Sequence, residues 1–374
     1  MNNKPISSRY HIVNLGTKGA SPGFTYSICE ELTEANLLET ITVSDRQDLL
    51  VTFEIKIPSK KLYKLKIANS AHELLDIRGF ARLLIHIMQQ GWAKEGRAVF
   101  IYPMHHPWSI AAVVLTWPYF NHYSIVHDAR PHEGANWLLE MAQLFLVYTF
   151  SKKIYFLSSI QAKYAEQFML PFQAKRIEVI NHPSFRHYSI PASAYTEKEY
   201  KQASADPGEA GKYFDFLFFG RLEKYKGMKL LIDSFTYYVR RYDSNATLLI
   251  AGRQGSVSLG DLEGLKGITM LSRYIPDKDI PLLFGCSSTT LLPYTSATQS
   301  GVMTLAADHN SPCAATPLPG LVEQAVYTSS RVIFSQSFSY SDFGKAMFKA
   351  RTSEDVDTIS RPIHSNLVRS ILAY

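Results

Sequence analysis

Three cations, Arg221, Lys224 and Lys226, follow a short apolar run near the middle of the chain. The run, at 214–219, is short enough for a strand buried on both faces, and Gly220 ends it. Beyond the cations, apolar residues recur every three or four positions over 228–239, which predicts a helix. Ligands of parallel α/β units bind at the carboxyl ends of the strands, so this pattern favours an anionic ligand such as a phosphate. A turn whose cations contact only water is the alternative.

The size and composition of the chain narrow the classes of protein to consider. Its 374 residues favour two domains, because single cores stop growing below this length. The formal charge of +6 is mild and no nucleic-acid-binding motif is present, so we expect no nucleic acid partner. Three distant cysteines indicate neither a disulfide framework nor a structural zinc, and they fit a reducing cytoplasm.

Predicted strands alternate with predicted helices in both halves of the chain, which is typical of a doubly wound parallel α/β sheet. The alternation of predicted strands and helices is interrupted at 184–212, where proline, glycine and small residues predict a linker. We therefore expect two Rossmann-like domains, at 1–183 and 213–350. A helical tail at 351–374 follows, and packing against the first domain is one option for it.

Two further stretches of the first half attract attention. Gly19 lies in a glycine-bearing loop between a predicted strand at 11–15 and a predicted helix at 24–32, where a ligand can approach the backbone closely. The loop does not match GxGxxG, so a dinucleotide is not supported. Residues 41–67 are predicted to form irregular strands. Lysines alternate with apolar residues over 55–67, which predicts an exposed edge strand protected by charge; a patch resting on anionic lipid headgroups is the alternative.

Several of these motifs resemble segments of family-four retaining glycosyltransferases, of the bacterial polysaccharide or glycolipid type, which have the GT-B fold. GRLEKYKGMKLLIDSF is similar to that family's G-R-x-x-x-x-K-G-x-x-x-L-I-x-A-F segment, and LLIAGRQG to its next strand and loop. LLPYTSATQSGVMTLAADHNSPCAATPLPGLVE resembles its donor-site segment. The Gly19 loop, VHDARPH and FLSSIQAKYAEQF are similar to features of its first domain.

The resemblance implies a GT-B fold whose two parallel-sheet domains face a central cleft. It also implies retaining transfer of a hexose from a nucleotide-diphosphate sugar to a glycan or lipid-linked acceptor, with no metal and no other cofactor. In the matching positions, Arg221 and Lys226 would neutralise the departing diphosphate. His127 would face the transferred sugar, a helix-capping or core role being the alternative. The implied donor-binding residues are Gly19, Gly220, Arg273, Tyr274, Ile275, Thr298, Gln299, Ser300, Gly301 and Val302.

The chain departs from the family at two positions where glutamates are usual, which here are Ala297 and Leu305. Thr298 or Gln299 would take over contacts to sugar hydroxyls, whereas a leucine cannot bind a ribose diol. The missing carboxylates motivate a second hypothesis, a non-catalytic nucleotide-sugar-binding or scaffold subunit. Another GT-B enzyme, such as a nucleotide-sugar epimerase, is a third. Glu323 matches a turn acid of the family and is expected to be structural.

Two acidic or histidine-bearing stretches invite a metal interpretation that the sequence does not favour. HDARPH, with Asp128, Arg130 and His132 after His127, lacks a third ligand at a spacing typical of zinc. The DKD stretch 277–279 precedes a predicted helix, where its carboxylates would cap and charge the helix start.

The termini and the apolar stretches bear on location. The first residues lack the apolar core of a signal peptide, and no apolar stretch reaches the roughly 18 residues that span a bilayer. We expect a cytoplasmic protein, with peripheral contact on the inner face of the membrane as an option.

Overall fold

The computed structural model describes residues 8–17, 20–46, 50–66, 75–93, 97–130, 136–185, 214–256, 265–328, 331–352 and 365–372. The chain divides into two compact units: Met1–Pro183 with His364–Tyr374, and Ser184–Ile363. Nearly all of the predicted linker lies outside the described residues, as does the first part of the predicted helical tail.

The first unit contains a seven-stranded parallel sheet in the order β3-β2-β1-β4-β5-β6-β7. The second contains a six-stranded parallel sheet in the order β10-β9-β8-β11-β12-β13. The strands are β1 Arg9–Asn14, β2 Leu38–Ser44, β3 Leu62–Leu65, β4 Ala98–Tyr102, β5 Asn121–Val126, β6 Lys153–Phe156, β7 Ile177–Val179, β8 Phe214–Phe219, β9 Leu248–Ala251, β10 Ile268–Leu271, β11 Ser287–Leu292, β12 Cys313–Ala315 and β13 Val332–Phe334.

Helices alternate with the parallel strands along the chain. In the first unit they are α1 Ala20–Glu34, α2 Leu50–Lys56, α3 Ile77–Trp92, α4 Pro107–Thr116, α5 Trp137–Phe150, α6 Ser159–Glu166, α7 Pro171–Ala174 and the C-terminal α13 Leu367–Leu372. In the second they are α8 Met228–Arg241, α9 Ile280–Gly285, α10 Gly301–Asp308, α11 Pro319–Ala325 and α12 Tyr340–Thr352, with short 3-10 turns at Lys224–Lys226 and Asp277–Asp279.

The central strands of both sheets are buried along most of their length. In β4 every residue is buried, and in β8 Phe216, Leu217 and Phe218 have no exposed surface. This continuous burial is characteristic of parallel sheets. The predicted fold class, two Rossmann-like domains with parallel sheets, is confirmed.

The segment before residue 67 differs from the expectation of irregular strands. Residues Leu50–Lys56 form helix α2, and only Leu62–Leu65 join the sheet, as the edge strand β3. Two of its lysines are engaged: Lys64 Nζ lies 2.7 Å from Glu54 Oε1, and Lys61 Nζ donates to the Leu38 carbonyl at 2.6 Å. The helix was mistaken for strand because a short amphipathic helix and an irregular strand can share the same pattern of apolar and charged residues.

The C-terminal helix α13 belongs to the first unit. Ser365 donates to the buried carboxylate of Glu31 through its backbone N–H and its hydroxyl, at 2.8 and 2.5 Å. Ser370 Oγ donates to Glu178, whose carboxylate also lies 2.9 Å from Lys153 Nζ. These contacts attach the end of the chain beside β6 and β7.

Candidate functional site

Lys226 lies in the turn between β8 and α8, at the carboxyl end of the central strand of the second sheet. Its side chain is buried, and Nζ lies 5.4 Å from the centre of the Tyr294 ring. None of the ion pairs formed within the described residues includes it. Burial lowers the pKa of Lys226, Tyr225 and the charge of Glu223 act in the opposite direction, and the charge of Arg221 lowers the pKa further. A buried ammonium that forms no direct ion pair is stabilised by an incoming anion.

Arg221 stands beside Lys226 with a side chain that is 59% exposed. Its Nε donates to Glu223 Oε1 at 2.9 Å, which leaves the two terminal nitrogens of the guanidinium without a partner among the described residues. Those two nitrogens are the pair that binds a phosphate or carboxylate in a bidentate manner. Arg221 and Lys226, predicted as a pair from the sequence, are thus brought together at one strand end.

Two glycines give this turn its shape. Gly227 has φ +73°, and a Cβ added to it would lie 1.8 Å from the Pro293 carbonyl oxygen. Gly220 has φ +109°, and an added Cβ would lie 2.5 Å from Lys226 Nζ. Both positions are in the left-handed region and in close contact, so only glycine fits them without a shift.

The second predicted anion contact is the start of α10. Ser300 caps this helix, its Oγ accepting from the Met303 N–H at 3.3 Å. The Ser300 N–H, however, donates to Gln324 Oε1 at 2.7 Å, and Gln324 Nε2 donates back to the Ser300 carbonyl at 2.9 Å. The Ser300 N–H is therefore engaged within the fold, whereas the described residues supply no acceptor for the N–H groups of Gly301 and Val302.

The residues before α10 are polar and half-buried. Gln299 Oε1 is buried and has no hydrogen-bond partner within the described part of the chain. Thr298 is packed against the following turn, since a Cβ on Gly320 would lie 2.3 Å from the Thr298 carbonyl oxygen. Ala297 is half-buried, and Leu305 is 5% exposed, a core residue of the second unit. Leu305 packs in a place where a carboxylate would be desolvated.

Arg273, Tyr274 and Ile275 follow β10 and differ in exposure. The Tyr274 side chain is 49% exposed, whereas Ile275 is buried. Arg273 NH2 lies 3.5 Å from Asp279 Oδ2. Asp279 stands at the start of α9 but makes no side-chain capping hydrogen bond, so the predicted capping role is wrong for this carboxylate. It pairs with the arginine instead.

In the first unit, His127 follows β5 and is half-buried. Its Nε2 lies 2.9 Å from the Pro103 carbonyl oxygen, and its ring is edge-on to Phe24 at 4.5 Å. Burial lowers the pKa of His127, with the charge of Asp128 acting in the opposite direction, so the ring is neutral at pH 7. A neutral ring that donates from Nε2 carries its lone pair on Nδ1 and can accept a hydrogen bond there.

The segment after His127 is attached to helix α6. Gln161 accepts from the Ala129 N–H at 2.8 Å and donates to Asp128 Oδ1 at 3.3 Å. The Arg130 guanidinium stacks over the Tyr164 ring at 3.9 Å. His132 lies outside the described residues.

Gly19 also lies outside the described residues, but the loop on either side of it is ordered by Asn14. The Asn14 amide oxygen, at the end of β1, accepts from the Gly16 N–H at 3.1 Å and from Ser21 Oγ at 3.0 Å. These two hydrogen bonds connect the end of β1 to the first turn of α1.

Three contributors to the site were not predicted from the sequence: Glu223, Gln324 and Tyr294. Gln324 and Tyr294 act on Ser300 and Lys226 through contacts between residues far apart in the sequence, and sequence spacing carries no signal for that. Glu223 alone had a local cue, because it stands two positions after Arg221.

Two features that would suggest other chemistry are not found in the part of the chain that the structure describes. No group of three or more histidine, cysteine or carboxylate side chains is arranged to hold a metal ion. No described helix is both long and apolar enough to cross a bilayer.

Comparisons with known proteins give one family match and several solved structures of similar fold. Residues 213–343 match the family model of glycosyl transferases group 1. HepE from Anabaena in complex with UDP is similar over 98% of this chain and 100% of its own, with TM-score 0.65 and 11% identity. The catalytic domain of starch synthase IV from Arabidopsis thaliana bound to ADP and acarbose is similar over 98% and 97%, with TM-score 0.67 and 11% identity.

The UDP-GlcNAc 2-epimerase from Methanocaldococcus jannaschii is similar over 98% of this chain and 99% of its own, with TM-score 0.60 and 12% identity. No curated protein matches the chain by sequence. At such identities the solved structures report the fold, which is GT-B. The resemblance to glycosyltransferases is confirmed by the family match of residues 213–343, while the retaining family-four assignment stays a prediction.

Proposed function

We propose that the protein is a retaining glycosyltransferase that moves a hexose from a nucleotide-diphosphate sugar to a glycan or lipid-linked acceptor in polysaccharide biosynthesis. One observation carries the proposal: the buried ammonium of Lys226 stands beside the exposed guanidinium of Arg221 at the carboxyl end of β8. The glycosyl transferases group 1 match of residues 213–343 supports it, as do the UDP and ADP bound to similar folds.

In this reaction the bond between the anomeric carbon and the phosphate oxygen breaks, and a bond from that carbon to an acceptor oxygen forms on the same face. The acceptor proton passes to a leaving phosphate oxygen. Negative charge grows on the diphosphate as the bond breaks, so fixed cations act most strongly in the transition state. Lys226 and Arg221 supply those cations, and the proposal includes neither a metal nor another cofactor.

The other groups of the second unit bind the donor. The N–H groups of Gly301 and Val302, at the positive end of the α10 dipole, face the diphosphate. The buried Gln299 Oε1, which has no hydrogen-bond partner among the described residues, accepts a hydrogen bond from a sugar hydroxyl. The exposed Tyr274 ring contacts the base.

The resemblance supports a contact of His127 with the transferred sugar. As a neutral ring donating from Nε2 to Pro103, it offers Nδ1 to a sugar hydroxyl. A hydrogen bond from that hydroxyl increases the electron density on the hydroxyl oxygen, which helps the sugar carry positive character at the anomeric carbon.

The test is a thermal-shift and hydrolysis screen with UDP-, GDP-, ADP- and dTDP-sugars. A donor that binds only the folded protein raises the melting temperature. Lys226→Ala is expected to abolish the shift, whereas Lys224→Ala, which removes an exposed lysine of the same turn, leaves it intact. The proposal is wrong if no nucleotide sugar binds and none is hydrolysed.

Two other functions follow from particular observations. The buried Leu305 and the absent carboxylate at Ala297 motivate a non-catalytic nucleotide-sugar-binding or scaffold subunit. The similarity to an epimerase motivates a nucleotide-sugar epimerase. Release of nucleoside diphosphate only when acceptor is present identifies a transferase. Epimerised donor without acceptor identifies an epimerase, and binding of donor without either product identifies a scaffold.

Contact with an anionic membrane is part of the proposal, together with a cytoplasmic location. Lys64 and Lys61 are engaged within the fold, so the cations that remain at this edge for lipid are the exposed Lys56, Lys60 and Lys66. Co-sedimentation with vesicles containing phosphatidylserine, weakened by salt and by replacing these three lysines with glutamine, tests it. Absence of binding at low salt overturns the membrane contact alone.

A further inference from the structure

Glu223 joins two loops of the second unit that follow neighbouring strands. Its Oε1 lies 2.9 Å from Arg221 Nε, and its Oε2 accepts from the Ser256 N–H at 3.2 Å. Ser256 Oγ in turn accepts from the Lys224 N–H at 3.0 Å. A backbone hydrogen bond joins the same two loops: the Leu222 N–H donates to the Arg253 carbonyl at 3.0 Å. One carboxylate therefore attaches the cation-bearing turn after β8 to the turn after β9.

We propose that Glu223 is a positioning residue for the donor diphosphate, acting through Arg221. This inference rests on the proposed function. Glu223 binds Arg221 at Nε, the inner nitrogen of the guanidinium, and not at the terminal pair. Because the guanidinium is planar, holding Nε sets the plane of the whole group and turns both terminal nitrogens outward in the bidentate arrangement that phosphate needs.

The carboxylate is well placed for this role. Its side chain is only 19% exposed, against 59% for Arg221, and an added Cβ on Gly255 would lie 2.6 Å from Oε1. Its hydrogen bonds to Ser256, with the charges of Arg221 and Lys226, hold the pKa of Glu223 below its usual value. Glu223 therefore stays ionised at neutral pH and keeps accepting from Arg221.

Two effects of Glu223 on anion binding oppose each other, which makes the inference testable. Its negative charge repels a diphosphate, so removing that charge would tighten binding if charge alone mattered. Its ion pair with Arg221 restricts the flexible arginine side chain before the ligand binds, which reduces the conformational entropy lost on binding. The inference states that the second effect dominates.

The experiment is a double-mutant cycle on nucleotide affinity, measured by calorimetry. UDP, ADP and GDP are titrated into the full chain, and the tightest of them serves for every variant. We expect Glu223→Ala to weaken binding about tenfold in the natural background and by less than about twofold in an Arg221→Ala background. Glu223→Gln, which keeps an oxygen for Arg221 Nε–H, is expected to restore affinity to at least the natural value.

The other outcomes overturn the inference. Tighter binding by Glu223→Ala means that charge repulsion dominates, and an equal loss in both backgrounds means that the carboxylate acts on the loop and not through Arg221. If Glu223→Ala does not fold, Ser256→Ala is run through the same cycle: it removes the hydroxyl that accepts from the Lys224 N–H and so weakens the connection between the two turns, and a smaller loss is expected only when Arg221 is present. If no nucleotide binds the natural protein, the proposed function fails and the inference with it.

Discussion

The ammonium nitrogen of Lys226 occupies the space where a side chain on Gly220 would begin. A Cβ built on Gly220 lies 2.5 Å from that nitrogen, closer than any real contact of this kind. The glycine ends β8 at φ +109°, and the lysine returns over it from the 3-10 turn Lys224–Lys226. The glycine thus allows the charge to lie against the backbone at the strand end, inside the protein.

This relationship predicts the effect of Gly220→Ala. The methyl group must displace the lysine ammonium, and the left-handed backbone adds strain on the order of 1–2 kcal/mol. We expect nucleotide affinity to fall at least tenfold, because the displaced cation no longer faces the anion. Calorimetric titration with UDP measures it.

Combining Gly220→Ala with Lys226→Met is the control for this prediction. If the alanine acts by displacing the ammonium, the double variant binds UDP no more weakly than Lys226→Met alone. Unchanged affinity of Gly220→Ala would show that the ammonium reaches the anion from another position.

Gly227→Ala is expected to reduce stability more than binding. The residue has φ +73°, and its Cβ would lie 1.8 Å from the Pro293 carbonyl oxygen, a backbone atom that cannot rotate away. Left-handed strain and overpacking together are expected to lower the free energy of unfolding by about 3 kcal/mol or more. Urea denaturation measures it, with Lys229→Ala as the exposed control on the same helix, expected to change stability by less than about 0.5 kcal/mol. An equal midpoint for Gly227→Ala and the natural protein contradicts the argument.

The order and type of most elements could be predicted because each has a strong local pattern. The bounds of β8 agree with the predicted strand at 214–219, a short and mostly apolar run that Gly220 ends. The edge strand β13, Val332–Phe334, was not predicted, since three half-buried residues carry no period. Helix α2 was mistaken for strand because its seven residues carry less than two turns of pattern.

The residues of the candidate site also differ in whether a local sequence pattern indicates them. Arg221 and Lys226 were found because a single loop carries both cations after a buried strand. The connection of Ser300 to Gln324 was missed because it joins residues 24 positions apart through an amide that reads, in sequence, like any polar helix residue. Pairing of this kind depends on the tertiary fold and not on spacing.

That connection supplies a further prediction, for Gln324→Leu. Leucine fills a similar volume but leaves the buried Ser300 N–H without its acceptor, whereas the Ser300 carbonyl still accepts from the Met303 and Thr304 N–H groups. One unsatisfied buried group is expected to lower the free energy of unfolding by about 1–3 kcal/mol and to loosen the start of α10. Urea denaturation and UDP titration report the two effects.

Gln324→Glu is the matched variant at this position. It keeps an acceptor for the Ser300 N–H, and only its protonated form also donates to the Ser300 carbonyl, so its loss of stability should be smaller at pH 5 than at pH 7, unlike that of Gln324→Leu. If both variants unfold at the natural urea midpoint, the amide does not hold the helix start.

His127→Ala is expected to separate turnover from nucleotide binding. The ring belongs to the first unit and is proposed to contact the sugar, so the variant should lower kcat by about a hundredfold while the affinity for UDP, which has no sugar beyond its ribose, stays within about twofold. Because burial keeps the pKa of His127 below its ordinary value, this ring should impose no change in rate between pH 7 and 8. A parallel loss of UDP affinity would place the histidine elsewhere in the mechanism.

The buried histidines of the first unit predict sensitivity to acid. His122 hydrogen-bonds to Tyr102 OH at 3.2 Å and to Thr116 Oγ1 at 3.1 Å, and His86 to Thr42 Oγ1 at 2.8 Å. Burial lowers the pKa of each to about 4, against about 6.5 in the unfolded chain. As the pH falls the unfolded chain takes up protons first, so stability is fully present above about pH 6.5 and is lost progressively down to about pH 4.

Each such histidine is expected to remove about 1–2 kcal/mol of stability between pH 7 and pH 5. Urea denaturation at the two pH values measures the loss, and His86→Gln, which keeps a hydrogen-bonding side chain that does not titrate, is the matched variant. Its loss of stability over the same interval should be smaller than that of the natural protein by about the contribution of one histidine. Identical losses for the two proteins would mean that His86 takes up its proton in the folded state as readily as in the unfolded one, and that its burial does not oppose its charge.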